Sequence, residues 1–201
     1  IDAYRHAVVS IDDEVENKLN LSFISIGGPL SNYKTRDLLE NEANKLIDMR
    51  SNNFFNKKNE KLIQNFEVGF DYGLIMRIRP EQFQNRVWII CAGIGEWGTS
   101  GSAWFLSNKY QEIYKGLRGR FNFLAFGKSK DFAALVKVKR EQDESAKLLA
   151  IFTSEQDIDE YISKLPKNDL QAGKKLGADL SADHQIKSAS AADTVDSSEG
   201  K

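Results

Sequence analysis

The chain is poor in the residue types that carry most redox, metal and nucleophilic chemistry. Its 201 residues include one cysteine and two histidines. The single Cys91 excludes a disulfide within the chain and suits a reducing compartment. His6 and His184 lie near the two ends of the sequence, so no His–Ser or His–Cys pair is expected within the core. Without a cluster of His and Cys residues or a paired-carboxylate motif, the sequence predicts no metal site.

Long apolar runs and an excess of one charge are also missing. No stretch approaches the roughly 20 apolar residues that a membrane-spanning helix needs, and no segment has the pattern of a signal peptide. The formal net charge is −1, which gives no overall attraction to nucleic acid or to anionic membranes. These features predict a cytoplasmic globular protein that has no membrane partner, and they give no strong signal for nucleic-acid binding.

Composition and periodicity divide the chain into three parts. Residues 1–20 carry apolar side chains at helical spacing, namely Tyr4, Val8, Ile11, Val15 and Leu19. We expect this helix either to pack on the domain or to connect it to an upstream effector or oligomerisation domain. Residues 21–165 have the strand and helix patterns of an α/β ligand-binding domain. Residues 166–201 contain no aromatic side chain and are dominated by small and charged residues, which predicts a disordered tail or a linker.

Strand and helix patterns alternate within residues 21–165. The predicted strands are Leu21–Ile26, Phe66–Phe70, Tyr72–Arg79, Val87–Cys91, Phe121–Phe126, Phe132–Lys139 and Lys147–Phe152. The predicted helices are Thr35–Met49, one that follows Ser100, and Glu155–Leu165, with an exposed loop over Arg50–Lys61. The continuous apolar run Val87–Cys91 suits a parallel sheet covered on both faces, whereas the alternating Phe132–Lys139 suits a partly exposed or edge strand. The fold class is therefore predicted to be α/β and Rossmann-like, with a mostly parallel sheet flanked by helices and antiparallel edge strands.

One design occurs twice in this domain: an apolar strand, a turn with glycine and small polar residues, and then a helix. The first copy follows Leu21–Ile26, and its turn contains Gly27, Gly28, Ser31 and Asn32. Glycine lets a ligand approach the backbone closely, and Ser31 or Asn32 can cap the helix or bond a ligand. The N–H groups of a helix N-terminus at the carboxyl end of a strand commonly hold anions. A plain turn that needs glycine only for its geometry is the alternative.

The second copy follows Val87–Cys91 and has the G-x-G-x-x-G spacing of nucleotide-binding loops at Gly93, Gly95 and Gly98. Trp97 in this loop could stack on a base. Hydroxyl donors where a phosphate would lie come from Thr99, Ser100 and Ser102. The next predicted strand does not end on an acidic residue that could bind a ribose, which argues against the usual dinucleotide site. A purely structural turn is again the alternative.

Two acidic residues are candidates for acid–base chemistry. Asp71 lies between two apolar strand patterns, where it could accept a hydrogen bond from a ribose, act as a base, or form a turn. Glu96 lies inside the second glycine loop, where its carboxylate would repel a phosphate unless it points away or contacts a sugar. Arg77 and Arg79 share one face of a predicted strand and could neutralise phosphate or simply be solvated.

The segments Gly27-Gly28-Pro29-Leu30-Ser31 and Gly98-Thr99-Ser100 resemble motifs of the Rossmann-like nucleoside 2-deoxyribosyltransferase and SLOG group. That group includes nucleotide-sensor and nucleotide-processing domains of bacterial conflict systems. The resemblance covers the part of the chain from Leu21 to Tyr110, and it implies a nucleotide ligand. In the transferases a Gly-Thr-x-x-Glu segment supplies the catalytic carboxylate. The matching position here is Ser102, which argues against glycosyl transfer.

The leading interpretation is a sensor or binding module for a nucleotide or another phosphorylated ligand, of the kind found in bacterial defence systems. Leu21–Ile26 and Val87–Cys91 should then be parallel, near-central strands, with their glycine loops at the same edge of the sheet. Partners would be a nucleotide-like small molecule and a fused or associated effector domain, and the sequence identifies no cofactor.

Two other interpretations stay open. One is a hydrolase or glycosyl transferase that acts on an N-glycosidic or phosphate bond, with Asp71 or Glu96 as the acid or base. The other is a protein-interaction domain in which the glycine loops are only turns. A pocket with a carboxylate near both loops favours the enzyme, and a polar pocket without one favours the sensor. Filled loops without a cavity favour the interaction domain.

Overall fold

The computed structural model describes residues 20–63, 67–83, 85–118 and 131–166. In chain order its elements are β1 (Phe23–Ile26), α1 (Tyr33–Glu40), β2 (Ile47–Arg50), β3 (Asn53–Asn56), β4 (Phe70–Ile78), a 3-10 turn (Glu81–Phe83), β5 (Trp88–Gly93), α2 (Glu96–Arg118), β6 (Phe132–Lys139), β7 (Gln142–Phe152) and α3 (Glu155–Ser163). The predictions for the N-terminal helix, the strand Phe121–Phe126 and the C-terminal tail fall outside the described residues.

Five strands form one mixed sheet in the order β1-β5-β4-β6-β7. Only β1 and β5 are parallel, and the other three neighbouring pairs in the described sheet are antiparallel. The α/β class is confirmed, but the mostly parallel, Rossmann-like sheet is not. The continuous apolar run in β5 has another cause: helices cover both faces of this strand, and such cover makes a strand apolar on both sides whatever the direction of its neighbours.

The two strands that precede the glycine loops are neighbours, as predicted. They pair in parallel, with Ile26 opposite Cys91, so their carboxyl ends lie at the same edge of the sheet. The prediction that both are near-central is wrong for β1, which is an edge strand of the five.

Each face of the sheet has its own apolar core, and side chains along the strands alternate between the two. On β4, the even-numbered apolar residues face a core that α1, the hairpin β2–β3 and α3 complete, whereas Ile75 faces the core under α2. The even-numbered set is Tyr72, Leu74, Met76 and Ile78. The fold therefore has three layers. Among the described residues, α2 is the helix that covers the second face of the sheet.

The predicted helix Thr35–Met49 ends early, at Glu40, because asparagines compete with helical hydrogen bonds. The side chain of Asn44 donates to the carbonyls of Leu39 and Ile47, and its Oδ1 accepts from Leu46 N. Asn41 Oδ1 accepts from a backbone N–H two residues on. These bonds fix a sharp turn in place of two further helical turns.

The predicted loop Arg50–Lys61 contains a strand. β2 and β3 form a hairpin around Ser51 and Asn52, whose φ angles are 47° and 55°. Two successive residues with positive φ are typical of the tight turn that joins two antiparallel strands, and Asn tolerates this conformation. Phe54 is 0% exposed in the core, whereas Phe55 lies half-buried beneath the Arg50 guanidinium.

Other boundaries also differ from the prediction. β4 is one strand through Asp71 rather than two around it, and α2 begins at Glu96 rather than after Ser100. Of the two alternatives for Phe132–Lys139, the edge strand is wrong, since β6 lies between β4 and β7, whereas Lys137 is partly exposed and Lys139 is exposed. Its alternation has a local cause: Lys137 lies over the Phe70 ring and pairs with Glu67.

The hairpin makes a testable prediction, because a surface loop would not hold Phe54 in the core. We expect Phe54→Ala to lower the free energy of unfolding by about 3–5 kcal/mol, as for other fully buried phenylalanines. Phe55→Ala, the matched control, should cost about 1 kcal/mol or less. Urea unfolding of both variants measures the difference, and equal small losses would place the hairpin outside the core.

Candidate functional site

The two glycine loops meet at one edge of the sheet. Gly27 N donates to Cys91 O over 3.0 Å, which continues the β1–β5 ladder into the first loop. A β-carbon added to Gly28 would lie 3.8 Å from Gly93 O, so the loops are in van der Waals reach of each other. α1 and α2 both begin at this edge. The structure therefore brings together the residues that the sequence predicted to be neighbours.

In the first loop, Asn32 is the N-cap of α1. Its Oδ1 accepts from Thr35 N over 2.9 Å, and its Nδ2 donates to Ile26 O over 3.1 Å. Gly27 has a φ of +141°, and a side chain there would press against Asn32. Both polar atoms of the Asn32 side chain are therefore hydrogen-bonded within the protein. Gly28 is half-buried and Ser31 is exposed.

In the second loop, Asp71 holds the start of α2. Its carboxylate accepts from Gly98 N over 2.8 Å and from Gly95 N over 3.2 Å, and also from the adjacent Tyr72 N. Asp71 is 7% exposed. A negative charge is favourable at a helix N-terminus, where unpaired N–H groups point outward. The protein's own carboxylate therefore lies where the sequence predicted a ligand phosphate.

The glycines of this loop allow α2 to approach the sheet closely. A β-carbon on Gly98 would overlap Tyr72 O, and one on Gly93 would overlap Gly98 and Thr99 N. A β-carbon on Gly95 would lie 2.6 Å from the Asp71 carboxylate. Helix-to-strand packing thus accounts for all three positions of the G-x-G-x-x-G spacing.

The three predicted hydroxyl donors also have internal partners. Thr99 Oγ1 donates to Gly95 O and Ser102 Oγ to Thr99 O, while Ser100 Oγ donates to the Asp143 carboxylate over 2.7 Å. Each hydroxyl fixes the first turns of α2 or joins them to β7. To donate to a ligand, these hydroxyls would have to give up their hydrogen bonds within the protein.

The remaining candidate side chains of the second loop have ordinary roles as well. Glu96 is exposed in the first turn of α2, where its charge is favourable. Trp97 is half-buried and packs against the core beneath the helix. Cys91 is fully buried, and burial raises the pKa of its thiol to about 12, against the effect of a hydrogen bond with Ser102. Its thiolate is therefore scarce at neutral pH.

A cleft of about 200 Å³ lies at the opposite end of the sheet. Its lining residues are Ala43, Asn44, Lys45, Leu46, Met76, Arg77, Ile78, Asp131 and Thr153. Burial raises the pKa of Asp131 to about 6, opposed by a backbone hydrogen bond from Arg79 and by the charges of Arg77 and Arg79. Arg77 and Arg79 therefore lie near the end of β4 that is far from the glycine loops. They do not form one site with these loops.

Sequence reasoning missed an exposed apolar surface on β1. Nine large hydrophobic side chains are exposed in the described part of the chain, and five of them fall between residues 21 and 33. These five are Leu21, Ile24, Ile26, Leu30 and Tyr33. The apolar residues of Leu21–Ile26 predict a near-central strand, and only the strand order shows that this strand lies at the edge of the described sheet with Ile24 and Ile26 exposed.

Among the described residues, no group of three or more His, Cys, Asp or Glu side chains is placed to hold a metal ion. No helix in the same part of the chain combines the length and apolar character needed to cross a membrane. Comparison with known proteins gave no match, since no family model fits the chain and no characterised protein or solved structure is significantly similar. The resemblance to nucleotide-processing domains stays a prediction.

The close packing of the second loop predicts unequal effects of alanine at two glycines. Gly98→Ala should lower the free energy of unfolding by about 3 kcal/mol or more, because the added carbon overlaps backbone atoms that cannot move without shifting α2. Gly28→Ala meets only an ordinary contact and should change stability by about 0.5 kcal/mol or less. Thermal or urea unfolding compares the two. If the Gly98→Ala variant were as stable as the Gly28→Ala variant, α2 would not pack against β4 as closely as described.

Proposed function

We propose that this chain is a protein-interaction module that binds a helix of its partner on the exposed apolar face of β1. We define the β1 strip as Ile24 and Ile26 of β1, with Ile89 of β5 beside them. The observation that carries the proposal is that Ile24 and Ile26 are 53% and 56% exposed. Contiguous apolar surface on a folded domain commonly marks a site of interaction.

The strip is open because α2 leaves it uncovered. α2 begins against β4 and β5, where Gly98 packs on the Tyr72 carbonyl, and it ends over β7, where Gly116 packs on Ile151. α2 has a kink at the non-helical residue Lys109 (φ −127°, ψ 18°), and over its whole length it runs from β4 and β5 to β7, away from β1. Paired residues of parallel strands share a face, so Ile24 and Ile26 lie on the same side as Ile89 and Cys91, which is the α2 side.

One flank of α2 borders the strip. Ser100 donates to Asp143 near the start of β7, and the Lys109 ammonium, which lies over the Trp104 ring, donates to the Ala146 carbonyl. These contacts place Trp104 on the flank towards β7. Leu106 lies about 200° further round the helix, on the flank towards β5 and β1.

The strip has the dimensions for one helix. Five strands at a spacing of about 4.8 Å span about 19 Å, whereas a helix with its side chains is about 10 Å wide. One face of such a sheet therefore accommodates two helices side by side. The opposite face carries α1, α3 and the hairpin, but the described residues place only α2 on this face. A partner helix beside α2 would complete the layer.

The state of the glycine loops supports the same choice. Asp71 is engaged by three backbone N–H groups and is therefore poorly placed to act as a base. The α2 N-terminus already has a carboxylate. The space beside Gly93 and Gly98 is filled by neighbouring backbone, and the space beside Gly95 is filled by the Asp71 carboxylate. Filled loops favour an interaction domain over an enzyme or a phosphate sensor at this loop.

A phosphorylated-ligand sensor, including a nucleotide sensor of a bacterial defence system, is the second candidate. What favours it is the exposure of Gly28 and Ser31 at the start of α1, where the N–H groups of a helix begin. A thermal-shift panel of nucleotides, dinucleotides and cyclic oligonucleotides tests it. A ligand at 100 times its Kd should stabilise the chain by about 2.7 kcal/mol. No shift across the panel would count against a sensor.

The interaction proposal predicts which positions a bound helix needs. Helical peptides selected from a displayed library against the full chain should carry apolar residues at i, i+3 or i+4, and i+7. Their affinity should fall about tenfold or more with Ile24→Asp or Ile26→Asp, since a charge would be buried under the peptide. Calorimetric titration measures this loss.

Leu149→Asp is the matched control, because Leu149 is 40% exposed on β7, the other edge strand of the sheet. This variant should bind the selected peptides with unchanged affinity. Circular dichroism of all three variants confirms that each is folded. Peptides whose affinity is insensitive to Ile24→Asp and Ile26→Asp would overturn the proposed surface.

A further inference from the structure

We propose that the cleft at the far end of the sheet binds an aliphatic α-amino acid of about the size of leucine. The ammonium group of this ligand pairs with Asp131, and its carboxylate pairs with Lys45. The site is separate from the β1 strip, which lies on the face of α2. The cleft is lined by Leu46, Met76 and Ile78, which belong to the core of the opposite face. Different experiments therefore test the two sites.

The carboxyl group of Asp131 has an unused acceptor beside this cleft. The group accepts a hydrogen bond from the backbone N–H of Arg79. Its Oδ1, however, is buried and accepts no hydrogen bond from any residue that the structure describes. A buried acceptor without a donor costs free energy, and the cost is larger when the group is ionised. A ligand that brings N–H donors into the cleft removes this cost.

An ammonium group suits this carboxyl better than a neutral donor. Burial raises the pKa of Asp131 to about 6, so the group is mostly ionised at neutral pH. A charged donor stabilises a carboxylate about twice as strongly as a neutral one. Arg77 also borders the cleft, but its side chain is directed to the other face of the sheet. Arg77 is paired with Phe132, which belongs to the core under α2, and paired residues share a face.

Lys45 supplies the opposite charge at the same cleft. It is exposed in the turn between α1 and β2, and among the described residues no carboxylate forms an ion pair with it. Lys45 and Asp131 thus offer a cation and an anion to one small molecule. An α-amino acid carries both complementary charges on neighbouring groups.

The rest of the cleft favours a small aliphatic ligand. Leu46, Met76 and Ile78 are buried, and Ala43 is half-buried. The volume of about 200 Å³ equals that of about seven water molecules at about 30 Å³ each. This space is too small for a nucleotide, and it suits the branched side chain of leucine with the two charged groups beside it.

The walls of the cleft are held in place by the protein itself. The side chain of Asn44 makes three hydrogen bonds to the backbone around it. Thr153 donates from its N–H and its hydroxyl to the Asp157 carboxylate. Asp131 is held by Arg79, as described above. A ligand therefore binds a pre-formed site, without the loss of affinity that comes from ordering a mobile one.

Calorimetric titration of the full chain with L-leucine tests the site. Isocaproate, which lacks the ammonium group, should bind at least about ten times more weakly, because it leaves Asp131 without its donor and brings two carboxylates together. Isoamylamine, which lacks the carboxylate, should bind about three times more weakly, as expected for the loss of one exposed ion pair.

Two variants assign the charges. Asp131→Asn should weaken L-leucine binding at least about tenfold, while its amide oxygen can still accept from Arg79 N. Lys45→Met should weaken L-leucine binding about threefold without lowering the affinity for isoamylamine. Because Lys45 is exposed, this variant gives a result even if Asp131→Asn fails to fold. Glu144→Gln is the matched control, since Glu144 is an exposed carboxylate on β7 outside the cleft, and its affinity should be unchanged.

Three results would overturn the proposal. They are no binding of L-leucine by the unmodified chain, an affinity unchanged by Asp131→Asn in a folded variant, and equal affinities for L-leucine and isoamylamine. Ile24→Asp should bind L-leucine like the unmodified chain, because Ile24 lies outside the cleft. Its loss of helical-peptide binding tests the β1 strip separately, so failure of one site leaves the other unaffected.

Discussion

The carboxylate of Asp71 joins the start of α2 to the middle of the sheet, and the packing of that whole layer depends on this bond. Backbone N–H groups at a helix start are left without partners unless something accepts from them, and Asp71 accepts from two of them while buried. Glycines at 93 and 98 bring the helix close enough for these bonds to form. The same contact fills the position at the start of α2 where a bound anion would otherwise be held.

The sequence predicted those features that depend on local pattern. Strands at β1 and β5, the alternation along β4 and the meeting of the two glycine loops at one edge all followed from apolar spacing and glycine position. Strand order did not follow, because an apolar run records that a strand is covered, not which strands lie beside it. The hairpin was missed because its turn uses Ser51 and Asn52 rather than an Asn-Gly pair. The partner of the G-x-G-x-x-G loop was missed because Asp71 is 24 residues from Gly95 in the chain.

The two faces of the sheet differ in how completely the described residues cover them. α1, the hairpin and α3 close one face over a core that includes Phe54, Trp88 and Phe152. On the other face the slant of α2 leaves the edge strand β1 open. This asymmetry explains why an apolar strand can be half exposed in a well-packed domain. Two roles therefore lie within ten residues of chain. β1 supplies the open strip, and the turn after β1 supplies Asn32, the N-cap of α1.

The hydrogen bond from Asn32 to the Ile26 carbonyl has a consequence for association. Phe23 of β1 and Gly27, which follows the strand, direct their N–H groups to β5, so the carbonyl of Ile26 points away from β5, towards the edge of the described sheet. Asn32 occupies that acceptor. A strand from another molecule that paired with this edge could not use the Ile26 carbonyl as an acceptor. Proteins limit edge-to-edge association of sheets by keeping edge strands short or by blocking their backbone groups. An edge strand that exposes two isoleucines is prone to pair with a strand of another molecule. Asn32, the N-cap of α1, limits this pairing because it blocks the Ile26 carbonyl.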